Sequence, residues 1–178
     1  MARREAAARR YADAAFEIGR ADGTLEVWER DLATLRTALG DEQLRRLVEH
    51  PAVPFAEKEK VLRQVAKNVT AEPLSLALLM VRRGRPGAID AMVDRFAELV
   101  RRERGISLAE VRTARPLDDV QRTAITQRLR ELTGDKIEMN EVVDDALIGG
   151  ISVRIGDRLY DASVRSRLER LRARLTAV

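Results

Sequence analysis

The apolar residues of this chain change their period once, at Gly105, and that switch limits the folds open to it. Before it, every apolar stripe has helical spacing. Leu25, Trp28, Leu32, Leu35 and Leu39 recur at intervals of 3, 4, 3 and 4, which places them along one side of a helix. Thr24 stands where an N-cap is expected, and Gly40 where that helix would close. Ahead of the stripe, Tyr11, Ala12, Ala15, Phe16 and Ile18 form an alanine-rich face that ends at Asp22-Gly23. Leu44, Leu47 and Val48 mark a short helix stopped by Pro51, and Pro51 to Pro54 reads as a rigid connector. Two further helices are predicted around Phe55, Leu62 and Val65, and around Leu74, Leu78, Leu79 and Val81. The second ends in the loop Arg83-Gly84-Arg85-Pro86-Gly87. A sixth carries Ile89, Met92, Val93, Phe96, Leu99 and Val100. Six short helices with tight connections predict a bundle over residues 1–105.

After Gly105 the pattern alternates. Ala109, Val111 and Thr113 interleave with Glu110 and Arg112, the mark of a strand with one buried face. Pro116-Leu117-Asp118 opens a helix carrying Val120, Ala124, Ile125, Leu129 and Leu132, which Gly134 stops. Ile137 and Met139, then Ile151, Val153 and Ile155, alternate with polar neighbours, and Gly156-Asp157 supplies a two-residue hairpin turn. Val164, Leu168, Leu171 and Leu175, spaced 4, 3 and 4, predict a last helix. The expected fold is mainly α: an N-terminal six-helix bundle, then a small α/β domain of order β-α-β-β-α over residues 106–178. About 70 residues make a thin core, so the second domain is expected to lean on a partner.

Charge adds little to this division. The 178 residues hold 33 Lys plus Arg against 29 Asp plus Glu, a formal net charge of +4. Only four of the 33 cations are lysines, which leaves 29 arginines, whose planar forks hold carboxylates and phosphates in fixed geometry. Residues up to 105 carry 20 cations and 17 anions, and the rest carry 13 and 12. Within the second domain the signs separate. Glu138, Glu141, Asp144 and Asp145 form an acidic stretch, while Arg165, Arg167, Arg170, Arg172 and Arg174 load the last helix; each could attract the other or a charged partner. Aromatic residues make up 3%, too few for stacking on bases to be the main mode of binding. With no cysteine and one histidine, a disulfide framework and a Cys/His zinc site are excluded. The longest uncharged run, Pro73 to Val81, is far short of a membrane span. Glu5 rather than an apolar stretch follows Arg3-Arg4, so the pair reads as the first turn of a helix and not as a leader.

No residue set points to catalysis. His50 precedes Pro51 at a predicted helix end, where a cation meets the terminal carbonyls, so capping is expected there. A Gly-x-Ser-x-Gly elbow is missing, as is a second histidine for a relay. Asp144-Asp145 lack a third convergent ligand and are expected to form a solvated or partner-facing acidic loop. Arg82-Arg83-Gly84-Arg85 is read as a helix cap and exposed turn rather than a phosphate grip. Gly149-Gly150 has neither the dinucleotide pattern nor the lysine of a P-loop, and reads as a bend before a strand. No metal, cofactor, nucleic acid or small-molecule substrate is expected. Ala7, Ala8, Ala12, Ala14 and Ala15 let another helix approach closely. Either they pack inside the bundle, or part of the face stays open as a shallow groove for an amphipathic helix from elsewhere.

The C-terminal text is more specific. Leu147-Ile148-Gly149-Gly150-Ile151-Ser152-Val153-Arg154-Ile155-Gly156-Asp157, followed by Tyr160-Asp161-Ala162-Ser163-Val164-Arg165-Ser166-Arg167-Leu168, closely resembles the delta subunit family of F-type ATP synthase. The oligomycin-sensitivity-conferring protein is its mitochondrial counterpart. Arg10-Tyr11-Ala12-Asp13-Ala14-Ala15-Phe16 is similar to the family's opening helix, and Ala109-Glu110-Val111 with Ala114-Arg115-Pro116-Leu117 to its domain junction. Ala162 departs from the glycine common at that place. The likeness spans nearly the whole chain and is weakest over the third and fourth helices. It begins by about residue 10, so no organelle presequence is expected and a bacterial-type protein is.

The resemblance implies a non-catalytic stator, peripheral on the cytoplasmic face of the plasma membrane and tied to the membrane only through its complex. Residues 1–105 would bind the N-terminal helices of the alpha subunits on the catalytic head, and residues 106–178 the b subunits of the peripheral stalk. That link would couple proton-driven rotation to ATP synthesis. The groove for the alpha helix would lie between the first and fifth helices, at Tyr11, Ala14, Ala15, Ile18, Leu76, Leu79, Met80 and Arg83, with Phe16 and Leu78 equally able to be core. The stalk would meet Ile151, Val153, Tyr160, Val164 and Leu168. A nucleic-acid-associated helical adaptor, suggested by the arginines, is the alternative; a carboxylate-based hydrolase at Asp144 and Asp145 is a more distant one.

Overall fold

The computed structural model describes residues 2–176, and the side chains of 5–170, 172 and 173 among them. Arg3, Arg4, Leu171, Arg174 and Leu175, all used in the sequence reading, lie outside the described side chains. The chain is mainly helical with one four-stranded mixed sheet. It divides into two compact units, Met1–Val100 and Arg101–Val178.

The first unit contains α1 (Ala2–Ala21), α2 (Leu25–Gly40), α3 (Glu42–Glu49), α4 (Phe55–Val65), α5 (Ala71–Arg82), a 3-10 turn at Pro86–Ala88 and most of α6 (Ile89–Glu103). Their apolar stripes meet in one core. Trp28 stacks on Phe96 with ring centroids 6.2 Å apart, and Phe16 meets Phe96 edge-on at 6.5 Å. Leu32, Leu35, Leu62, Met80 and Met92 fill the space around them, each fully buried. Gly19 lets α2 come close: a Cβ there would stand 2.9 Å from Trp28 Cδ1. Phe16 and Leu78, left open by the sequence, are both core.

Helix ends differ from expectation in three places. Thr24 is the N-cap residue of α2, but its hydroxyl makes no capping bond. Gly40 is the last helical residue and not a left-handed closer; Asp41 ends α2 in extended conformation and starts α3 by accepting the Leu44 N–H at 2.9 Å. One short polar residue thus serves two helices, and no left-handed turn is needed. His50 ends α3 as expected, yet its ring Nδ1 accepts the Ala52 N–H at 3.2 Å rather than donating to the helix carbonyls. At α5 the arginine-rich turn closes as the sequence suggests: Gly84 N–H bonds Val81 O at 3.0 Å, and Arg85 N–H bonds Met80 O at 2.9 Å.

The second unit runs β1 (Ile106–Thr113), α7 (Asp119–Thr133), β2 (Lys136–Val143), β3 (Ile151–Ile155), β4 (Arg158–Asp161) and α8 (Val164–Thr176). Its order is β-α-β-β-β-α, so the expected count was one strand short. The missing strand is β4, the return arm of the Gly156-Asp157 hairpin, held by antiparallel pairing to β3. The sheet order is β2-β1-β3-β4, with β1 and β2 parallel across α7 and the other pairs antiparallel. Asp118 and Gln121 form a capping box at the start of α7. Ala109, Val111, Val153 and Leu129 make the buried centre, edged by Ile125, Ile137, Met139, Ile151, Ile155 and Tyr160. One face of the sheet therefore packs against α7.

Candidate docking surfaces

In the first unit the inward stripe of α1 is Ala8, Ala12, Ala15 and Phe16, at spacings 4, 3 and 1. This resolves the alanines: Ala8, Ala12 and Ala15 are closed into the unit's core, Ala7 is buried as well, and Ala14 faces out. α1 lies against α5. Along this neighbourhood Ile18 keeps 46% and Leu79 41% of its surface exposed. Ala14 and Arg83 are exposed with them, and Tyr11 and Leu76 are half-buried. Ala15 and Met80 do not belong to this surface. They are 1% and 0% exposed, because Ala15 follows Ala12, and Met80 follows Ala77, by one helical turn on the buried side. The open strip is bordered by charge that is already partnered. Glu17 pairs with Arg20 at 2.8 Å, and Asp13 with Arg95 at 3.5 Å.

The stalk candidates of the second unit separate into two groups. Ile151, Val153 and Tyr160 lie on the sheet face that α7 covers: Val153 faces Val111 and Tyr160 across the ladder, and Ile151 faces Thr113. Val153 is 2% exposed and is a core residue, not a contact residue, because it sits on a central strand. Ile151 and Tyr160 are half-buried. Val164 and Leu168 stand on α8, the latter 55% exposed. The Val164 N–H donates to Gly149 O at 2.9 Å, which sets the base of α8 beside the loop that carries Ile148, itself 70% exposed. Ile148 and Leu159 were missed by the sequence reading. Neither sits in an apolar repeat, so no periodic signal marks them.

Within the acidic stretch Glu138 and Asp145 are exposed, whereas Glu141 and Asp144 are engaged. Glu141 accepts the Leu117 N–H at 2.7 Å and Arg122 Nη2 at 3.0 Å. Those two donors, the backbone one foremost, hold its carboxyl below the usual glutamate range. Glu141 therefore fastens the entry of α7 to β2. Asp144 accepts the Ala146 N–H at 3.0 Å and faces Arg112 at 3.7 Å, as a turn residue does. Of the arginine-rich turn, Arg82 lies over the Phe55 ring at 5.9 Å. No helix among the described residues is long and apolar enough to cross a membrane.

Comparison with known proteins bears on the whole chain. Residues 7–175 match the family model for the ATP synthase delta (OSCP) subunit. The chain is 39% identical over 170 residues to ATP synthase subunit delta of Salinibacter ruber, covering 94% of this chain and 89% of that protein. It is 37% identical over 169 residues to ATP synthase subunit delta of Caulobacter vibrioides, covering 93% and 92%. Among solved structures it superposes on a chain of the cryo-EM structure of the Toxoplasma gondii mitochondrial ATP synthase hexamer with a TM-score of 0.68 and 26% identity, covering 96% and 98%.

Proposed function

The chain belongs to the ATP synthase delta (OSCP) subunit family, and from that premise we propose how its two units divide the work. It is a non-catalytic stator component, and its partners lie within the ATP synthase complex. A stator prevents the catalytic head from turning with the rotor, so the demand on it is mechanical: grip at two ends without slipping. The comparisons favour this reading over a nucleic-acid adaptor.

In our reading, residues 1–105 bind the N-terminal helix of an alpha subunit along the α1 and α5 strip, with Ile18 and Leu79 as apolar anchors, Ala14 allowing close approach, and Tyr11, Leu76 and Arg83 at the margins. Residues 106–178 bind the b subunits through Val164 and Leu168 on α8, with Ile151 and Tyr160, half-buried at the edge of the sheet core, contributing less. The protein then sits peripherally at the cytoplasmic face of the plasma membrane, held there by the complex. The observation that carries the head assignment is the exposure of Ile18 and Leu79 next to a closed core. Trp28 gives a built-in probe, since it lies under α1 at Gly19, one residue past Ile18. Titration with a peptide of the alpha-subunit N-terminus is expected to change Trp28 emission and release heat. Leu79→Asp is expected to weaken binding at least about tenfold with helical content unchanged. Equal binding by the variant, or no heat with the native chain, would remove the assignment.

A further inference from the structure

Written as heptads, α8 places Val164, Leu168, Leu171 and Leu175 at positions d, a, d and a, the seam by which one helix packs on another. The positions that flank such a seam, e and g, are Arg165, Arg167, Arg172 and Arg174. Glu169, the helix's one acid, falls at b, away from the seam. Helix stability does not account for this pattern. Each of α1 to α7 has an acid in its first turn, where the helix dipole favours negative charge, and α8 has none. Arg165 and Arg167 stand there instead, against the dipole. Neither is held in an ion pair. Arg167 makes no hydrogen bond or ion pair among the described residues, and Arg165 makes one bond to a neutral carbonyl, Ala146 O at 3.2 Å. Val164 and Leu168 are exposed on the same helix.

We infer that α8 pairs with an acidic amphipathic helix of a partner, apolar along its own seam and carrying Glu or Asp where it meets Arg165, Arg167, Arg172 and Arg174. The inference rests on the reading of α8 as the stalk-facing element and adds what that element selects. Two features choose this occupant. An aliphatic seam at spacings of 4, 3 and 4 fits another helix, and α8 has no aromatic side chain on which a nucleic-acid base could stack. Four flanking cations repel a second copy of this chain, whose e and g positions are the same arginines, and attract carboxylates placed there.

The test uses the full chain and dye-labelled helical peptides of about four heptads, with isoleucine at a and leucine at d. They carry glutamate, glutamine or lysine at every e and g. The glutamate peptide is expected to bind, the glutamine peptide to bind at least about tenfold more weakly, and the lysine peptide not to bind. Arg167→Glu is expected to weaken the glutamate peptide at least about tenfold with helical content unchanged. Arg158→Glu, the same charge change on β4, is expected to bind it as the native chain does. A second measurement uses the soluble part of the b subunits. Capture that Leu168→Asp abolishes and Arg167→Glu weakens supports the inference. Capture that Leu168→Asp abolishes and Arg167→Glu leaves unchanged would overturn it and keep the stalk assignment. No capture, or capture that neither variant alters, would remove both. Equal binding by the three peptides, or a short DNA duplex bound as tightly as the glutamate peptide, would also overturn the inference.

Discussion

Asp31 sits on the buried side of α2, between Trp28 and Leu32, with 1% of its surface exposed. Burial pushes its carboxyl up, but two bonds from Thr70, hydroxyl at 2.6 Å and N–H at 2.7 Å, together with Arg30 at 2.9 Å, hold it below the usual aspartate range. Thr70 is the N-cap residue of α5 and gives its hydroxyl to Asp31 instead of taking the local cap. The carboxylate thereby ties α2 to the start of α5. A folded-state value below the unfolded one means that the stabilisation is complete above the ordinary aspartate range and is lost as pH falls through it and lower. Asp31→Ala is expected to cost about 2 kcal/mol at neutral pH, read as a lower urea midpoint, with the gap to the native chain narrowing in acid. A gap independent of pH would show that the charge contributes nothing. An aspartate inside the stripe Trp28, Leu32, Leu35 was visible in the sequence, but its partner lies 39 residues on, beyond any local pattern.

Long periodic helices were legible because one face of each must be buried: α2, α5 and α6 follow directly from their stripes. β4 was not, since its four residues, Arg158 to Asp161, have no alternation of their own and exist as a strand through the ladder to β3. The same limit applied to the docking surfaces. The resemblance offered Ala15, Met80 and Val153 as contact residues, but it could not tell their inward side from the outward one, and all three are buried. The junction of β4 and α8 rests on Gly150, whose φ of +81° is left-handed and where a Cβ would stand 2.6 Å from Ala162 O and 2.9 Å from Ser163 Cα. Gly150→Ala is expected to destabilise this junction by at least about 1 kcal/mol, the cost of the left-handed conformation before the overlap is counted. In binding assays it should weaken capture of b-subunit fragments and leave capture of the alpha-subunit peptide unchanged. Native-like capture of both would show that α8 is not held in place by this turn.

As a stator the protein carries load through packing, and its two units do so with unequal means. The first encloses aromatic rings and long aliphatic side chains in one continuous core, whereas the second has, among the described residues, four well-buried apolar residues and a rim of half-buried ones. The second is therefore the part that gains most from a bound partner, in keeping with its small size. Because the subunit's role is to transmit torque and not to perform chemistry, its loss should uncouple the complex without stopping the head. Inverted membrane vesicles stripped of this subunit test that directly. ATP hydrolysis by the head is expected to continue, while ATP-driven proton pumping disappears on stripping and returns when the purified chain is added back. Undiminished pumping by the stripped vesicles would contradict the account.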